Sequence, residues 1–228
     1  MIVLVTLLSM AMTIGAYSLS KVVGKRYPSP FTTPVFFSTA FIIILLMTFG
    51  LTFEDYTLAK EIMTFLLGPA TVALAVPLYK NRQIIKKHSG PALVGIVLGT
   101  MSTIIGAILL IKLFSLSNEI LASISVKSVT VPVAVEISNI IGGDPALTAA
   151  FVVATGILGT MLGPSLMNIA KIDHPLSRGL ALGTISHGQG TAQAATEGEL
   201  QGAVAGVAMG LAAIFTSIAA PILVPFFI

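Results

Sequence analysis

The chain has 228 residues, of which 55% are hydrophobic and 9% are charged, and its net charge is +3. The mean hydropathy of +1.00 excludes a water-soluble fold, because a soluble domain carries roughly 25% charged residues and could not hide this much apolar surface. The absence of cysteine excludes disulfides and thiolate metal sites, and the small positive surplus is typical of cytoplasmic loops rather than of nucleic-acid binding.

Six uncharged stretches are about as long as the roughly 20 apolar residues that a membrane-spanning helix requires. They are Met1–Ser20, Tyr27–Phe53, Ile62–Tyr79, Pro91–Ile111, Pro145–Ala170 and Leu200–Ile228. Two further segments are interrupted: Ile120–Gly143 contains two charges, and Gly179–Thr196 is rich in glycine and hydroxyl-bearing residues. The sequence therefore predicts an all-α integral membrane protein of about eight hydrophobic segments, forming a single polytopic domain over residues 1–228.

The charged loops predict an orientation, since cytoplasmic loops carry an excess of lysine and arginine. Basic residues follow the first and third stretches, at Lys21–Arg26 and Lys80–Lys87, whereas the loop Glu54–Glu61 is acidic. We therefore expect the N-terminus outside and both basic loops in the cytoplasm. The second half stays open, because the basic residues after 170 lie outside if Ile120–Gly143 crosses the membrane and inside if it re-enters.

Three short sequences in the first part of the chain recur in the second part, in broadly matching positions. The matches are Pro91–Gly106 with Pro175–Gly190, Thr32–Val35 with Thr130–Val133, and Leu67–Pro69 with Leu162–Pro164. They predict two repeats, over residues 28–114 and 120–196, although Gly-Pro and Gly-Thr pairs are also common in membrane helices. Three segments in each repeat would invert the second repeat relative to the first, which is typical of secondary transporters. A re-entrant Ile120–Gly143 would instead make the repeats parallel.

The segment Gly179–Thr196 carries polar side chains at a depth where a lipid-facing helix would not tolerate them. A broken helix that lines a watery site explains this composition, and so does tight helix packing. The candidate substrate-binding residues are Thr184, Ser186, His187 and Gln189, and the candidate helix breaks are Gly183, Gly188 and Gly190. His187 could donate a hydrogen bond to a carboxylate, take part in proton coupling or serve as a hydrogen-bonded packing residue. We expect no metal site, because no second histidine or carboxylate lies at the spacing of metal ligands.

The segment Ile120–Gly143 is the second candidate, because intramembrane charges are usually functional or paired. Pro132 breaks the helix, and a half-helix that begins there could cradle a carboxylate with its free N–H groups. The candidate residues are Lys127, Ser128 and Thr130, with Glu136 as a candidate for coupling and, in the first repeat, Thr33 and the helix break at Pro34. The alternative for Lys127 is an interfacial position from which its side chain snorkels into water.

Several stretches resemble the hallmark sequences of the LrgB/CidB family. They are Pro69–Ala73, Pro77–Lys80, Lys127–Ala134, Gly179–Thr184, Ser186-His187 and Gly190–Ala192. The resemblance implies a multi-pass protein of the bacterial cytoplasmic (inner) membrane that works with a small LrgA/CidA-like membrane protein. Members are tied to control of murein hydrolase activity and cell lysis, some are linked to pyruvate uptake, and related plastid proteins carry glycolate and glycerate. The sequence departs from the family pattern at Gly188-Gln189 and at Gln193, which leaves the substrate open.

The function that we expect is transport of a small monocarboxylate, such as pyruvate, glycolate or glycerate, by a permease subunit that needs no cofactor. One alternative is an antiholin-like regulator of murein hydrolase activity and cell lysis that acts through membrane permeability. Another is an auxiliary subunit that only stabilises an LrgA-like partner. The chain contains no GxSxG, phosphate-loop or HExxH motif, so we expect no enzyme activity. The expected partners are the lipid bilayer, a small carboxylate and the LrgA/CidA-like protein, without nucleic acid; homo-oligomerisation stays open.

Overall fold

A computed structural model describes residues 2–73, 75–80 and 82–228 of the chain. The described residues are predominantly helical and contain no strand, so the expected all-α membrane fold is confirmed. The chain divides into two compact units, Met1–Val76 and Pro77–Ile228, each with its own internal packing.

In the described part of the N-terminal unit, the first helix packs against the two that follow it. Pro34 is the first residue of the second helix, where its missing N–H leaves no hydrogen bond unmade. Asp55 accepts hydrogen bonds from the Thr52 amide and hydroxyl groups, which lower the pKa of the Asp55 carboxyl group. The helices are α1 (Ile2–Arg26), α2 (Pro34–Thr48) and α3 (Phe53–Ala73), with a 3-10 turn at Pro30–Thr32.

Four helices of the described residues are long and apolar enough to cross a membrane. They are Val5–Arg26, Ser89–Leu113, Pro145–Ile169 and Glu199–Phe227, which correspond to four of the six predicted stretches. The stretch Tyr27–Phe53 contains the shorter α2, and Ile62–Tyr79 is divided between α3 and α4 (Ala75–Lys80), with Leu74 outside the described residues. That these two stretches cross the membrane stays a prediction.

The C-terminal unit contains three helices of 25 residues, namely α6 (Ser89–Leu113), α9 (Pro145–Ile169) and α11 (Glu199–Leu223). At 1.5 Å per residue each is about 37 Å long, enough to cross a hydrocarbon core of about 30 Å. Shorter helices precede and separate them. In chain order the helices are α5 (Arg82–Lys87), α6 (Ser89–Leu113), α7 (Asn118–Ser125), α8 (Val131–Ile141), α9 (Pro145–Ile169), α10 (Pro175–Glu197) and α11 (Glu199–Leu223).

The polar segment after α6 turns back on itself. The Asp144 amide at the start of α9 donates to the Ser123 hydroxyl in α7 at 2.8 Å, so the chain between these residues leaves and returns to the same level. Its returning arm, α8, has 11 residues and a length of about 16 Å, roughly half of the hydrocarbon core. Residues 120–143 therefore double back, which is the geometry of a re-entrant segment rather than of a crossing one. We name residues 118–143 the first hairpin and residues 126–130 its tip.

Helix α10 is also doubled back, although a single residue separates its two helical arms. Arg178 in its first turns donates from Nε to the Glu197 carboxylate at 2.6 Å, yet these residues would lie about 28 Å apart in a straight helix. The break falls at His187, whose backbone is not helical. We name residues 175–197 the second hairpin, with its tip at His187.

The two hairpins start from opposite ends of α9. The first is tied to the N-terminal end of α9 through Asp144. The second is tied to the C-terminal end, where Arg178 donates to the Asn168 side chain at 2.8 Å and to the Ile172 carbonyl at 3.1 Å. Since both hairpins also pack along α9, their tips point toward each other from the two ends of this helix.

Contacts among charged and histidine side chains at one end of the C-terminal unit are consistent with these helix directions. His88 before α6 contacts His174 before α10, with ring centroids 6.2 Å apart, so α6 runs antiparallel to α9. Lys80 and Glu199 pair at the same end, at 3.5 Å. The basic residues after α9 therefore lie on the side of the basic segment Lys80–Lys87, as the positive-inside rule requires.

A long helix followed by a hairpin thus occurs twice in the C-terminal unit. The two long helices run in opposite directions. The first pair is α6 with the first hairpin, and the second is α9 with the second hairpin. Both long helices contain the sequence Pro-Ala-Leu near their starts, at Pro91–Leu93 and Pro145–Leu147. This pairing is an inverted arrangement of two structural units within residues 89–197.

The matching sequence copies themselves adopt different structures. Pro91–Gly106 lies inside the unbroken α6, whereas Pro175–Gly190 contains the break at His187. The repeats predicted over residues 28–114 and 120–196 stay a prediction, because the first of them extends over both compact units.

Candidate functional site

The tip of the second hairpin is a strained turn. His187 has φ 43° and ψ −128°, a conformation that is rare for a residue with a side chain and costs about 1–3 kcal/mol. A Cβ atom on Gly190 would collide with the Leu182 carbonyl and the Ser186 side chain, so the arms meet too closely for a larger residue. Ser186 and His187 are only 1% and 5% exposed at this turn.

Glycines of α9 make room for the tip of the second hairpin. A Cβ atom on Gly156 would collide with the side chain of Gln189, and a Cβ atom on Gly159 would collide with the hydroxyl group of Ser186. Small residues let helices approach closely in membrane proteins, where van der Waals contact drives association. The tip is therefore seated against the middle of α9 by shape rather than by charge.

The ring of His187 is fixed by α9. Its Nε2–H donates to the carbonyl oxygen of Val152 at 3.1 Å, since a carbonyl group can only accept. The backbone carbonyl of His187 in turn accepts from the Thr191 hydroxyl group at 2.9 Å. With Nε2 protonated, Nδ1 of a neutral His187 is the ring nitrogen that can take up a proton or accept a hydrogen bond.

Two glutamine side chains beside this tip have unused acceptors. Gln189 Oε1 and Gln193 Oε1 are buried and have no hydrogen-bond partner among the described residues. They lie one helical turn apart in the second arm, on the same face. Buried polar atoms are nearly always paired, and an unpaired one indicates an unfilled role for water or a ligand. Gln189 was a predicted site residue, whereas Gln193 was not.

The tip of the first hairpin has a different chemistry. Lys127 is half-buried, and its amino group lies 3.4 Å from the hydroxyl group of the buried Ser128. No carboxylate lies within 4 Å of this amine in the described part of the chain. Thr130 is the N-cap residue of α8, but its hydroxyl group does not cap the helix, and Pro132 is in the first turn. A positive charge and an uncapped helix N-terminus therefore share this tip.

The two tips converge near Val152. The Val152 side chain belongs to the buried cluster that contains Val126 and Val129 from the first tip, and its carbonyl group binds His187 from the second. One turn earlier in α9, the Thr148 hydroxyl lies 2.6 Å from that of Ser138 in α8. The tips of the two hairpins, which are about 60 positions apart in sequence, are thus gathered around one part of α9.

The remaining predicted residues belong to other parts of the structure or, for Gly188, to the second tip itself. Gly183 lies within the helical first arm, packed against the backbone of α11, and Thr184 packs against Gly99 of α6. Glu136 is exposed on α8. Thr33 precedes α2 in the N-terminal unit, where its hydroxyl donates to the Pro30 carbonyl at 3.1 Å, and Pro34 begins that helix. Gly188 is the first residue of the second arm, directly after the break.

Sequence reasoning missed the contribution of α9. Gly156 and Gly159 receive the tip of the second hairpin, and the Val152 carbonyl orients His187. The spacing of three residues between the two glycines was a usable signal, because small residues on one helix face indicate close packing. The role of the Val152 carbonyl could not be predicted from the sequence, because every residue has a backbone carbonyl.

Comparison with known proteins gives a consistent result over the whole chain. The family model described as LrgB-like matches residues 13–226. The chain is 37% identical over 220 residues to the uncharacterized protein YwbG of Bacillus subtilis, covering 96% of this chain and 98% of the relative. It is 30% identical over 221 residues to the holin-like protein CidB of Staphylococcus aureus, covering 97% and 96%. It is 31% identical over 212 residues to the antiholin-like protein LrgB of Bacillus cereus, covering 92% of each. No solved structure matches it significantly.

Proposed function

This chain belongs to the LrgB-like family of membrane proteins, and on that premise we propose that it is a permease subunit for a small monocarboxylate. The observation that carries the proposal is the convergence of two oppositely directed hairpins at the middle of α9, where both tips are polar. Broken helices that meet half-way through a membrane are the usual binding elements of secondary transporters. We place the protein in the bacterial cytoplasmic membrane, acting without catalysis.

The charges at the tips suit a carboxylate. Helix α8 begins after Thr130 and the second arm of α10 begins after His187, so two helix N-termini face the convergence. Each N-terminus carries about half a positive charge, and Lys127 adds a full one without a carboxylate partner in the described residues. In this proposal Lys127, Ser128 and Thr130 hold the carboxylate, and the second tip closes over it.

The uncharged end of the substrate meets the second tip. Gln189 Oε1 is an unused acceptor, which suits a hydroxyl group of the substrate or a bound water molecule. Ser186 and His187 shape the same tip. Small two- and three-carbon acids such as glycolate, glycerate and pyruvate, with the latter held through water, fit this combination of a cationic and a neutral polar side.

The opposed hairpins also supply a route for alternating access. One hairpin starts from each end of α9, so moving the first opens the site to one side of the membrane and moving the second opens it to the other. Proton coupling through His187 or Glu136 belongs to the same proposal. Uptake that is unaffected by an imposed pH gradient in proteoliposomes would remove the coupling and leave the permease.

The experiment is uptake of labelled pyruvate, glycolate and lactate into proteoliposomes, with the chain alone and together with an LrgA-like partner. We expect saturable uptake of at least one acid and competition by its unlabelled form. Thr130→Ala should reduce uptake, whereas Thr48→Ala, which removes an exposed hydroxyl group bonded only to its own helix, should not. Uptake that never saturates at any concentration, with or without the partner, would contradict the proposal.

The names of two relatives favour a second function. One is called holin-like and another antiholin-like, which describes control of membrane permeability in cell lysis. A regulator of this kind needs no saturable site, and a partner of the LrgA type would be its natural counterpart. The two functions differ in the same assay, because a permeability regulator releases trapped solutes of unrelated chemistry at similar rates.

A further inference from the structure

A large apolar cleft in the C-terminal unit is separate from the hairpin tips. It has a volume of about 800 Å³ and lies between α6, the first arm of α10 and α11. Thr184 is the one predicted substrate-binding residue that lines it. Most of its wall is aliphatic, as the lining residues Leu93, Ile96, Leu180, Ala181, Val204 and Leu211 illustrate. An exposed apolar cleft with this lining suits an occupant that is itself hydrocarbon.

The mouth of the cleft is basic. His88 and His174 line it with their rings 6.2 Å apart, and Ile85 of α5 lines it as well. Lys86 and Lys87 follow Ile85 directly and are exposed. His88 and His174 are the N-cap residues of α6 and α10, and neither side chain caps its helix, so both rings are available to a ligand. Two helix N-termini add partial positive charge to this mouth.

The acidic groups near the mouth do not cancel this charge. Glu199 is paired with Lys80 and Glu197 with Arg178. Asp173, which is exposed beside His174, offsets one charge of the two lysines. The mouth also lies at the basic end of the C-terminal unit, where the positive-inside rule places the cytoplasmic surface.

We propose that this cleft binds an acyl chain of an anionic phospholipid, with the phosphate group held at His88 and His174. The aliphatic wall accepts the chain, and the basic mouth selects an anionic headgroup over a zwitterionic one. Basic pockets between membrane helices on the cytoplasmic side are a recognised place for such headgroups. The proposal is independent of the substrate and of transport.

Two substitutions of glycine in α6 test the hydrocarbon part. A Cβ atom on Gly95 has no atom within 4 Å, and Gly95 lines the cleft, so Gly95→Phe would place an aromatic ring where the acyl chain is proposed to lie. Gly106 has equal space for a side chain, lies three turns further along α6 and does not line the cleft, so Gly106→Phe is the matched control. Purified full-length protein is mixed with equal amounts of phosphatidylglycerol and phosphatidylcholine, and the bound lipid is counted by native mass spectrometry.

We expect the parent protein and Gly106→Phe to retain phosphatidylglycerol at least about 5-fold more often than phosphatidylcholine, and Gly95→Phe to lose one bound lipid. The double substitution Lys86→Gln/Lys87→Gln removes the two full positive charges beside the mouth without filling the cleft, and it should keep a lipid but lose the preference. Equal retention of both lipids by the parent protein would overturn the proposal. So would unchanged lipid binding in Gly95→Phe, or a dimer that Gly95→Phe dissociates, because a second copy would then be the occupant.

Discussion

The two hairpins of the C-terminal unit have the same outline but are held in place by different interactions. The second hairpin has one residue at its turn, and its tip is buried against glycines of α9. The first has a tip of five residues without helical structure, and that tip contains a half-buried lysine without a carboxylate partner in the described residues. Packing fixes the second tip, whereas the first keeps an unsatisfied charge.

This difference suggests a division of work. A strained, closely packed turn gives the closed site a defined wall, because the contacts that seat it on α9 leave no room for a larger residue. A half-buried lysine without a counter-charge at membrane depth is costly, and it persists where a ligand supplies the opposite charge. The first hairpin would then bind the anion and the second would define the shape of the site.

The largest expected effect comes from removing the charge of the first tip. Lys127→Met should reduce uptake efficiency about 10- to 100-fold, because a hydrogen bond to a charged group contributes about 1.5–3 kcal/mol. Lys112→Met is the control, since Lys112 is exposed at the end of α6. Initial rates of uptake in proteoliposomes measure both. Equal rates for the two variants would remove Lys127 from the site and with it the contrast between the hairpins.

The next effect tests the packing of the second tip. In Gly159→Ala the new methyl group would meet the Ser186 hydroxyl, and such overpacking costs about 1–3 kcal/mol. Gly210→Ala is the matched control, because its Cβ atom meets no atom within 4 Å and alanine favours helices. We expect a lower melting temperature only for Gly159→Ala. A tip that tolerates this methyl group would not be fixed by packing.

A smaller effect concerns the base of the second hairpin. A double-mutant cycle on Arg178 and Glu197, whose side chains are 12% and 15% exposed, should give a coupling of about 1–2 kcal/mol. The same cycle on Lys80 and Glu199, which are 64% and 55% exposed, should give less than about 0.5 kcal/mol. Unfolding in mixed micelles measures both couplings. Similar values would mean that the base is not tied by its ion pair.

The smallest effect on stability is expected for an unused acceptor. Gln193→Leu removes a buried oxygen that has no partner among the described residues, so the stability of the protein without substrate should change by less than about 1 kcal/mol. Substrate should then stabilise the variant less than it stabilises the parent protein. Thermal unfolding with and without glycolate measures both quantities, and a large loss without substrate would show that Gln193 has a structural role.

Sequence reasoning went furthest where composition alone decides the structure. Four of the six predicted stretches are long apolar helices, and the two interrupted segments are the ones that form hairpins. The direction of Ile120–Gly143 could not be predicted, because it depends on a hydrogen bond between Ser123 and Asp144 that brings together residues 21 positions apart. Composition shows that a helix is interrupted, but it does not show whether the chain then continues in the same direction or turns back.

The site was predicted in part for a similar reason. Lys127, Ser186 and His187 could be selected because polar groups are rare at membrane depth. Val152 of α9, which binds the ring of His187, contributes a backbone carbonyl, which any residue would provide. The large apolar cleft was also missed, since its wall consists of residues that any membrane helix contains.

The central claim is that the two tips enclose a water-accessible site for a small anion. Because the natural chain has no cysteine, single cysteines can be placed at will, and labelling by a membrane-impermeant maleimide reports contact with water. Thr130→Cys in the first tip should react, and pyruvate or glycolate should slow its reaction, whereas Ser102→Cys on the exposed surface of α6 should remain unlabelled in a bilayer. A cysteine at position 130 that no reagent reaches from either side, or that reacts at the same rate with every acid present, would contradict the claim.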